Sequence, residues 1–453
     1  MKQHDAAPEL HRSLGFWQVA LYGTGSMLGA GIYALIGRAA ETLGNAVWLS
    51  FLVAMVAALL TGLSYACVGS RFPKAGGAAF ITHRAFDRAW LGYVVGIVVM
   101  MSGLTSMATG SQAIAENLDK AFGWGVSTKL VAIGIVFIVG LVIFRGIRES
   151  MWANIVCTVV EAGGLLFIIV VGMRYWGGVD YLELPVASQG GGDAALAFIV
   201  LQGAVLTFFS FIGFEDVLNV SEEVKDAPRN LPRGLIAAML MSTVIYLLVA
   251  ITAVSVVPWK ELAASKTPLM EVAHRAAPWF QNIDSVFLGI TIFAIGNTAL
   301  LNYIMGSRLL YGMSRQGLLP AFLGRVHATR RTPHVAVATL FCIVAALILA
   351  GGVKQLAEAT VLLLLMVFTV VNVALLLLKR RKDEPRGQFE VPIWVPAAGA
   401  LVCATLIVVR IVAALNSDNP ASRTAPMVAG AIVLVALLLY AVLRPKGSTA
   451  QTS

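Results

Sequence analysis

Gly25-Ser26-Met27-Leu28-Gly29-Ala30-Gly31 interrupts an apolar run, 14–38, that is otherwise long enough to cross a membrane, and Ser210-Phe211-Ile212-Gly213-Phe214 interrupts a second at 194–220. Glycines free backbone amides and carbonyls at a depth where lipid cannot satisfy them. Such backbone is tolerated only where it is buried in protein or lines a cavity. Two broken helices in corresponding places of two halves point to a transport site near the middle of the membrane.

The rest of the chain agrees with that setting. Of 453 residues, 58% are hydrophobic and 13% charged, and the mean hydropathy is +0.82, well outside the usual range of a soluble globular chain. Apolar runs of about 20 residues, the length that crosses a ~30 Å hydrocarbon core, recur about twelve times. They fall at 14–38, 45–70, 89–115, 127–144, 152–175, 194–220, 233–258, 283–312, 334–350, 354–379, 391–416 and 425–444. The expected fold is an all-α membrane protein of about 12 transmembrane helices. Spans one to five (14–175) and six to ten (194–379) read as two copies of a five-helix unit. An odd number of spans per copy makes the repeat inverted, with helices 1 and 6 broken. Spans eleven and twelve (391–444) form a peripheral pair. Pro258, Trp259, Pro278 and Trp279 predict short interfacial helices on the outer side.

The formal net charge of +9 is a topology signal rather than a nucleic-acid footprint. With the N-terminus inside, about 22 of the 33 Lys and Arg fall on the cytoplasmic side, among them Arg71, Lys74, Arg145, Arg148 and the run Lys379-Arg380-Arg381-Lys382. This predicts a multi-pass protein of the cytoplasmic (inner) membrane with both termini cytoplasmic. The polar start shows no removable signal peptide. Cys67, Cys157, Cys342 and Cys403 all fall inside spans without CxxC spacing and read as buried, inert thiols. No histidine sits at membrane depth, and neither an HExxH zinc motif nor a GxxxxGK[ST] phosphate loop occurs. No cofactor or metal is expected, and a membrane-embedded enzyme is disfavoured. A channel is the other alternative class.

In the first interruption one half-helix ends near Met27 and the next starts near Gly29. Its unpaired N–H groups and positive dipole end suit a carboxylate. The competing reading is a GxxxG-type packing face built from Gly25, Gly29 and Gly31. In the second interruption, ending near Ile212 and Gly213, carbonyls such as those of Phe209 and Ile212 are left to attract an ammonium. Donors for a carboxylate beside acceptors for an amine make up the polar inventory of a free α-amino acid.

The same stretches carry a resemblance. Gly-Ser-Met-Leu-Gly-Ala-Gly-Ile-Tyr at Gly25 to Tyr33, Phe-Ser-Phe-Ile-Gly-Phe-Glu at Phe209 to Glu215 and Arg71-Phe-Pro-Lys-Ala-Gly-Gly resemble the amino acid, polyamine and organocation superfamily of transporters. So do the segments Glu222 to Arg233 and Ser307 to Pro320. The resemblance implies a five-plus-five inverted repeat and alternating access. It implies a substrate carboxylate on Gly29, Ala30 and Gly31, with Ser26 beside them, and an amine on the carbonyls of Met27, Phe209 and Ile212. Phe209 stands where some relatives carry Trp.

Ionisable groups at membrane depth cost several kcal/mol unless paired or functional. Glu161 lies about nine residues into span five, ~14 Å deep, near the bilayer centre. It is the candidate proton-coupling residue, with a protonated or hydrogen-bonded structural Glu as the competing reading. By the resemblance it falls near the place where sodium-independent relatives often carry Lys and sodium-coupled ones hold an ion, so proton symport, sodium coupling and ion-free antiport all stay open. Glu215 and Asp216 read as support for the second break, with a part in a cytoplasmic gate as the alternative. Arg308 and Arg410 read as snorkelling to the interface, and Glu222, Glu223, Lys225 and Arg229 as a solvated cytoplasmic loop. An uncharged pocket around Ala30, Phe209 and Ile212 leans toward small or apolar L-amino acids, with a polyamine or other amine as the alternative substrate.

Overall fold

The computed structural model describes residues 12–74, 76–123, 125–185, 192–265, 267–350, 353–415 and 423–443. The first span is broken into α1 (Phe16–Met27) and α2 (Ala30–Leu43), joined by extended backbone at Leu28 and Gly29. Their 12 and 14 residues rise only ~18 and ~21 Å, so neither half crosses alone. α3 (Val47–Arg71), the short α4 (Gly77–Phe86), α5 (Ala89–Phe122), α6 (Thr128–Arg145) and α7 (Ile147–Gly172) complete the first half. The second half opens with α8 (Gly192–Phe208), which gives way to a 3-10 turn at Phe209–Phe211 and, past Gly213, a 3-10 stretch at Phe214–Glu223. The second break therefore sits where the sequence placed it, but its returning half is 3-10 rather than α-helical.

α9 (Ala227–Val256) starts with Pro228 in its first turn, where the missing N–H leaves no gap. α10 (Trp259–Ala264) and α11 (Pro268–Ala276) are the expected short helices. α12 (Ile283–Arg315), α13 (His334–Ala350), α14 (Val353–Arg380), α15 (Trp394–Leu415) and α16 (Thr424–Leu443) follow. Among the described residues eight helices are long and apolar enough to cross a membrane. The segment Ile199–Phe208, α13 and most of α16 are shorter apolar helices, and the break keeps α1 and α2 short. No strand forms among the described residues beyond one isolated bridge from Leu14 to Val224. The protein is an all-α, multi-pass membrane protein.

α3 packs on α9, α5 on α12, α1 on α9 and α8 on α3. Beside the second break an aromatic knot joins three helices. Phe368 of α14 meets Phe214 at 5.1 Å, Tyr65 of α3 at 5.8 Å and Phe208 of α8 at 6.1 Å. Exposed apolar side chains such as Trp152, Val159, Leu166 and Val170 give α7 an outer face suited to lipid.

Three sequence expectations are corrected here. Arg308 does not snorkel: it is fully buried and forms an ion pair with an equally buried Glu223, Nε to Oε2 at 3.1 Å and Nη2 to Oε1 at 3.2 Å. A guanidinium has five donors in a rigid fork, and inside protein it pairs with a carboxylate when one is in reach. Glu223 is accordingly no part of a solvated loop, and its carbonyl also accepts the amides of Ser13 and Leu14 at 2.9 and 3.0 Å. Lys225 and Arg229 are exposed as expected. Cys342 is exposed on the outer face of α13 rather than buried.

Candidate functional site

The two breaks meet. Gly31 faces the second break so closely that a Cβ there would lie 2.9 Å from the Ser210 Cα. Gly213, at φ +123°, would place a Cβ 2.5 Å from the Ser26 carbonyl oxygen. L-residues rarely adopt that φ, so Gly213 is required both for its conformation and for the close approach. Gly25 packs into Thr158, Asn154 and Asn297. The packing reading of the glycines and the site reading are thus both realised: the glycines bring the broken helices together, and the space they bound is a cavity.

That cavity measures about 240 Å³. Of the residues expected at the site, Ser26, Met27, Gly29, Gly31, Ile212 and Gly213 line it. The side chains of Ala30 and Phe209 lie outside those described. The N-terminus of α2 has no side-chain cap, so its first N–H groups keep the role of anion donors. The sequence did not single out the opposite walls: Ser102, Gly103, Ser106 and Gly110 of α5, and Thr298, Asn302 and Met305 of α12. A signal existed on α5, since Ser102, Ser106 and Gly110 repeat at four-residue spacing and so share one helix face.

Glu215 and Asp216 also line the cavity. The Ser26 hydroxyl donates to Asp216 Oδ2 at 2.9 Å, linking the first break to the second, and Glu215 Oε2 accepts the Gly213 amide at 2.8 Å. Glu215 does support its turn, as expected, but the expectation of an uncharged pocket fails on this wall because two carboxyl groups reach it.

Glu161 does not line the cavity. It is fully buried on α7, and neither carboxyl oxygen has a hydrogen-bond partner among the described residues. Asn154, Thr158 and Glu161 share one face of α7 by their spacing. Asn154 donates to Asn297 Oδ1 of α12 at 2.9 Å, and Asn297 reaches Thr158 at 3.2 Å and the Gly25 carbonyl at 3.4 Å. A polar knot of uncharged side chains therefore backs the first break. No group of three or more His, Cys, Asp or Glu that would hold a metal occurs among the described residues.

Tyr246 of α9 was not anticipated. Its hydroxyl lies 2.5 Å from the Met27 carbonyl oxygen and 2.8 Å from that of Ser210, one carbonyl from each break. Nothing local marks a tyrosine in an apolar run for such a place.

Residues 14–438 match the family model described as amino acid permease. The chain belongs to the amino acid permease family. As a family member it is a transporter rather than an enzyme. It is 27% identical to the branched-chain amino acid permease BcaP of Bacillus subtilis, over 88% of this chain and 88% of that protein. It is 30% identical to the vacuolar cationic amino acid transporter 4 of Arabidopsis thaliana, over 83% of this chain and 65% of that longer protein. A methylthioribose transporter of Bacillus subtilis is 28% identical over 87% of both.

Proposed function

We propose that this permease is a secondary transporter that moves an L-amino acid across the cytoplasmic (inner) membrane by alternating access, through the cavity between the two breaks. The carrying observation is that both breaks border one cavity of about 240 Å³. The volume lies below the roughly 300–1,000 Å³ of sites for drug-sized ligands, which suits a molecule of amino-acid size. The carboxylate would take the N–H groups at Gly29, Ala30 and Gly31, and the ammonium the carbonyls of Met27, Phe209 and Ile212. The units are 14–175 and 194–379, with 391–444 peripheral. Supporting this division, α1 on α9 answers α8 on α3, as an exchange of two inverted halves requires.

Side-chain preference follows from the walls. Apolar residues such as Val99, Leu301 and Leu364 favour a small or apolar side chain. Glu215 and Asp216 favour a second reading, a substrate with an additional positive charge, because a carboxylate in a water-poor site is stabilised by a cationic partner. Uptake of radiolabelled leucine, lysine and putrescine into proteoliposomes separates the readings. Saturable amino acid uptake with counterflow is expected, and flux without saturation or counterflow would leave a channel instead. Lysine preference lost in Asp216→Asn would establish the second reading.

Glu161 is the proposed proton carrier, an isolated buried carboxyl group beside the first break. Glu161→Gln should retain exchange and lose accumulation driven by an imposed pH gradient, since a fixed neutral side chain carries no proton through a cycle. Gradient-driven uptake unchanged in this variant would reduce Glu161 to a structural group, and strict sodium dependence would move coupling to another ion.

A further inference from the structure

The Tyr246 hydroxyl carries one proton and faces two carbonyl oxygens, which only accept. The proton gives a full-strength hydrogen bond to only one of them at a time, and shared between both it is weaker to each. The ring does not swing away to relieve this, because Phe211 holds it edge-on at 5.2 Å and Phe51 lies at 5.9 Å. Moving the donated bond from one carbonyl to the other needs only a rotation about the phenol C–O bond. The two acceptors differ in access. Both residues are almost fully buried, but Met27 lines the cavity and Ser210 does not.

We propose that Tyr246 is a positioning residue that passes occupancy of the cavity from the first broken helix to the second: a substrate ammonium on the Met27 carbonyl commits the phenol proton to the Ser210 carbonyl. The ammonium supplies a donor to the Met27 carbonyl, and each of the two carbonyls then has a donor of its own. Because Gly31 and Gly213 press the two breaks together backbone to backbone, a change at Ser210 is felt across the 209–216 segment without any large movement. The phenol is a two-state element biased by the ligand. This inference rests on the amino acid reading above.

Amide hydrogen exchange of the purified protein, with and without saturating L-leucine or L-lysine, tests it. In the wild type, exchange across 209–216 should slow several-fold on binding. Tyr246→Phe keeps the ring and loses the proton. It should retain the ligand-induced rise in melting temperature, lose the protection at 209–216 and slow counterflow about tenfold. Protection that persists in Tyr246→Phe overturns the proposal, as does loss of binding and protection together with a lowered melting temperature, the mark of a merely structural hydroxyl. Should Tyr246→Phe fail to fold, the wild-type comparison still decides: bound ligand without slower exchange at 209–216 overturns it. If neither amino acid moves the wild-type midpoint, the reading of the cavity as a site for these amino acids falls and this one with it.

Discussion

The side chains that matter most for integrity are charged ones kept from water. Removing one partner of a buried ion pair strands the other charge, at about 3–5 kcal/mol, whereas replacing both by apolar residues of similar volume is often near neutral. Arg308→Met and Glu223→Met alone should each lower the melting temperature strongly. The double replacement Arg308→Met with Glu223→Met should recover most of the loss, as a thermal double-mutant cycle in detergent would show. Additive losses would mean that the pair is not coupled. Neither residue betrays this partnership locally. They are 85 positions apart, and a carboxylate in a charged loop looks like any solvated group until the chain is folded around it.

The breaks were legible as elements because glycine leaves a visible mark in an apolar run, and both appear within a residue or two of their expected places. The returning 3-10 stretch after Gly213 was not, since no residue type distinguishes it from α-helix. Glycines also differ by what surrounds them. Gly213→Ala forces a side chain onto positive φ and into the Ser26 carbonyl, and should abolish uptake or folding. Gly163 on α7 has nothing within 4 Å of an added Cβ. Gly163→Ala should be neutral or stabilising by up to ~1 kcal/mol, from helix propensity alone. Equal damage from the two substitutions, measured as uptake per folded molecule, would remove the special role of the second break. Of the candidate site, the half built from broken backbone could be read in advance. The half supplied by α5 and α12, and the reach of Asp216 into the cavity, needed the tertiary fold, because facing helices declare their register only when packed.

At the scale of the molecule, the connection between α14 and α15 is fastened back onto α3. Arg71 grips Glu390 in a two-pronged bond at 2.7 Å each, Lys379 donates to it, and the Gly387 amide adds 3.0 Å. Burial alone would raise this carboxyl, but the hydrogen bonds of Arg71, Lys379 and Gly387 outweigh it and hold it at about 2, below the ordinary 4.5. A folded-state value below the unfolded one stabilises at pH above the unfolded value, and the gain is lost as pH falls from about 4.5 toward 2. Melting temperature measured from pH ~6 to ~3 should therefore drop more steeply in the wild type than in Glu390→Gln. Parallel curves would show that this fastening contributes nothing. An even number of spans also returns the chain to its starting side. A reporter after Ser453 should be active in the cytoplasm, and activity only outside would reverse the orientation.

The junction at Glu223 has a consequence for the order in which the protein is made. Its carbonyl holds Ser13 and Leu14, which leave the ribosome long before it, and its carboxylate holds Arg308, which arrives only when α12 is being synthesised. During synthesis the entry to α1 has no finished anchor while the helices up to α11 are already made. The fastening of this junction is therefore a late event, and a chain halted before residue 308 would carry a buried-type carboxylate with its guanidinium partner still unmade.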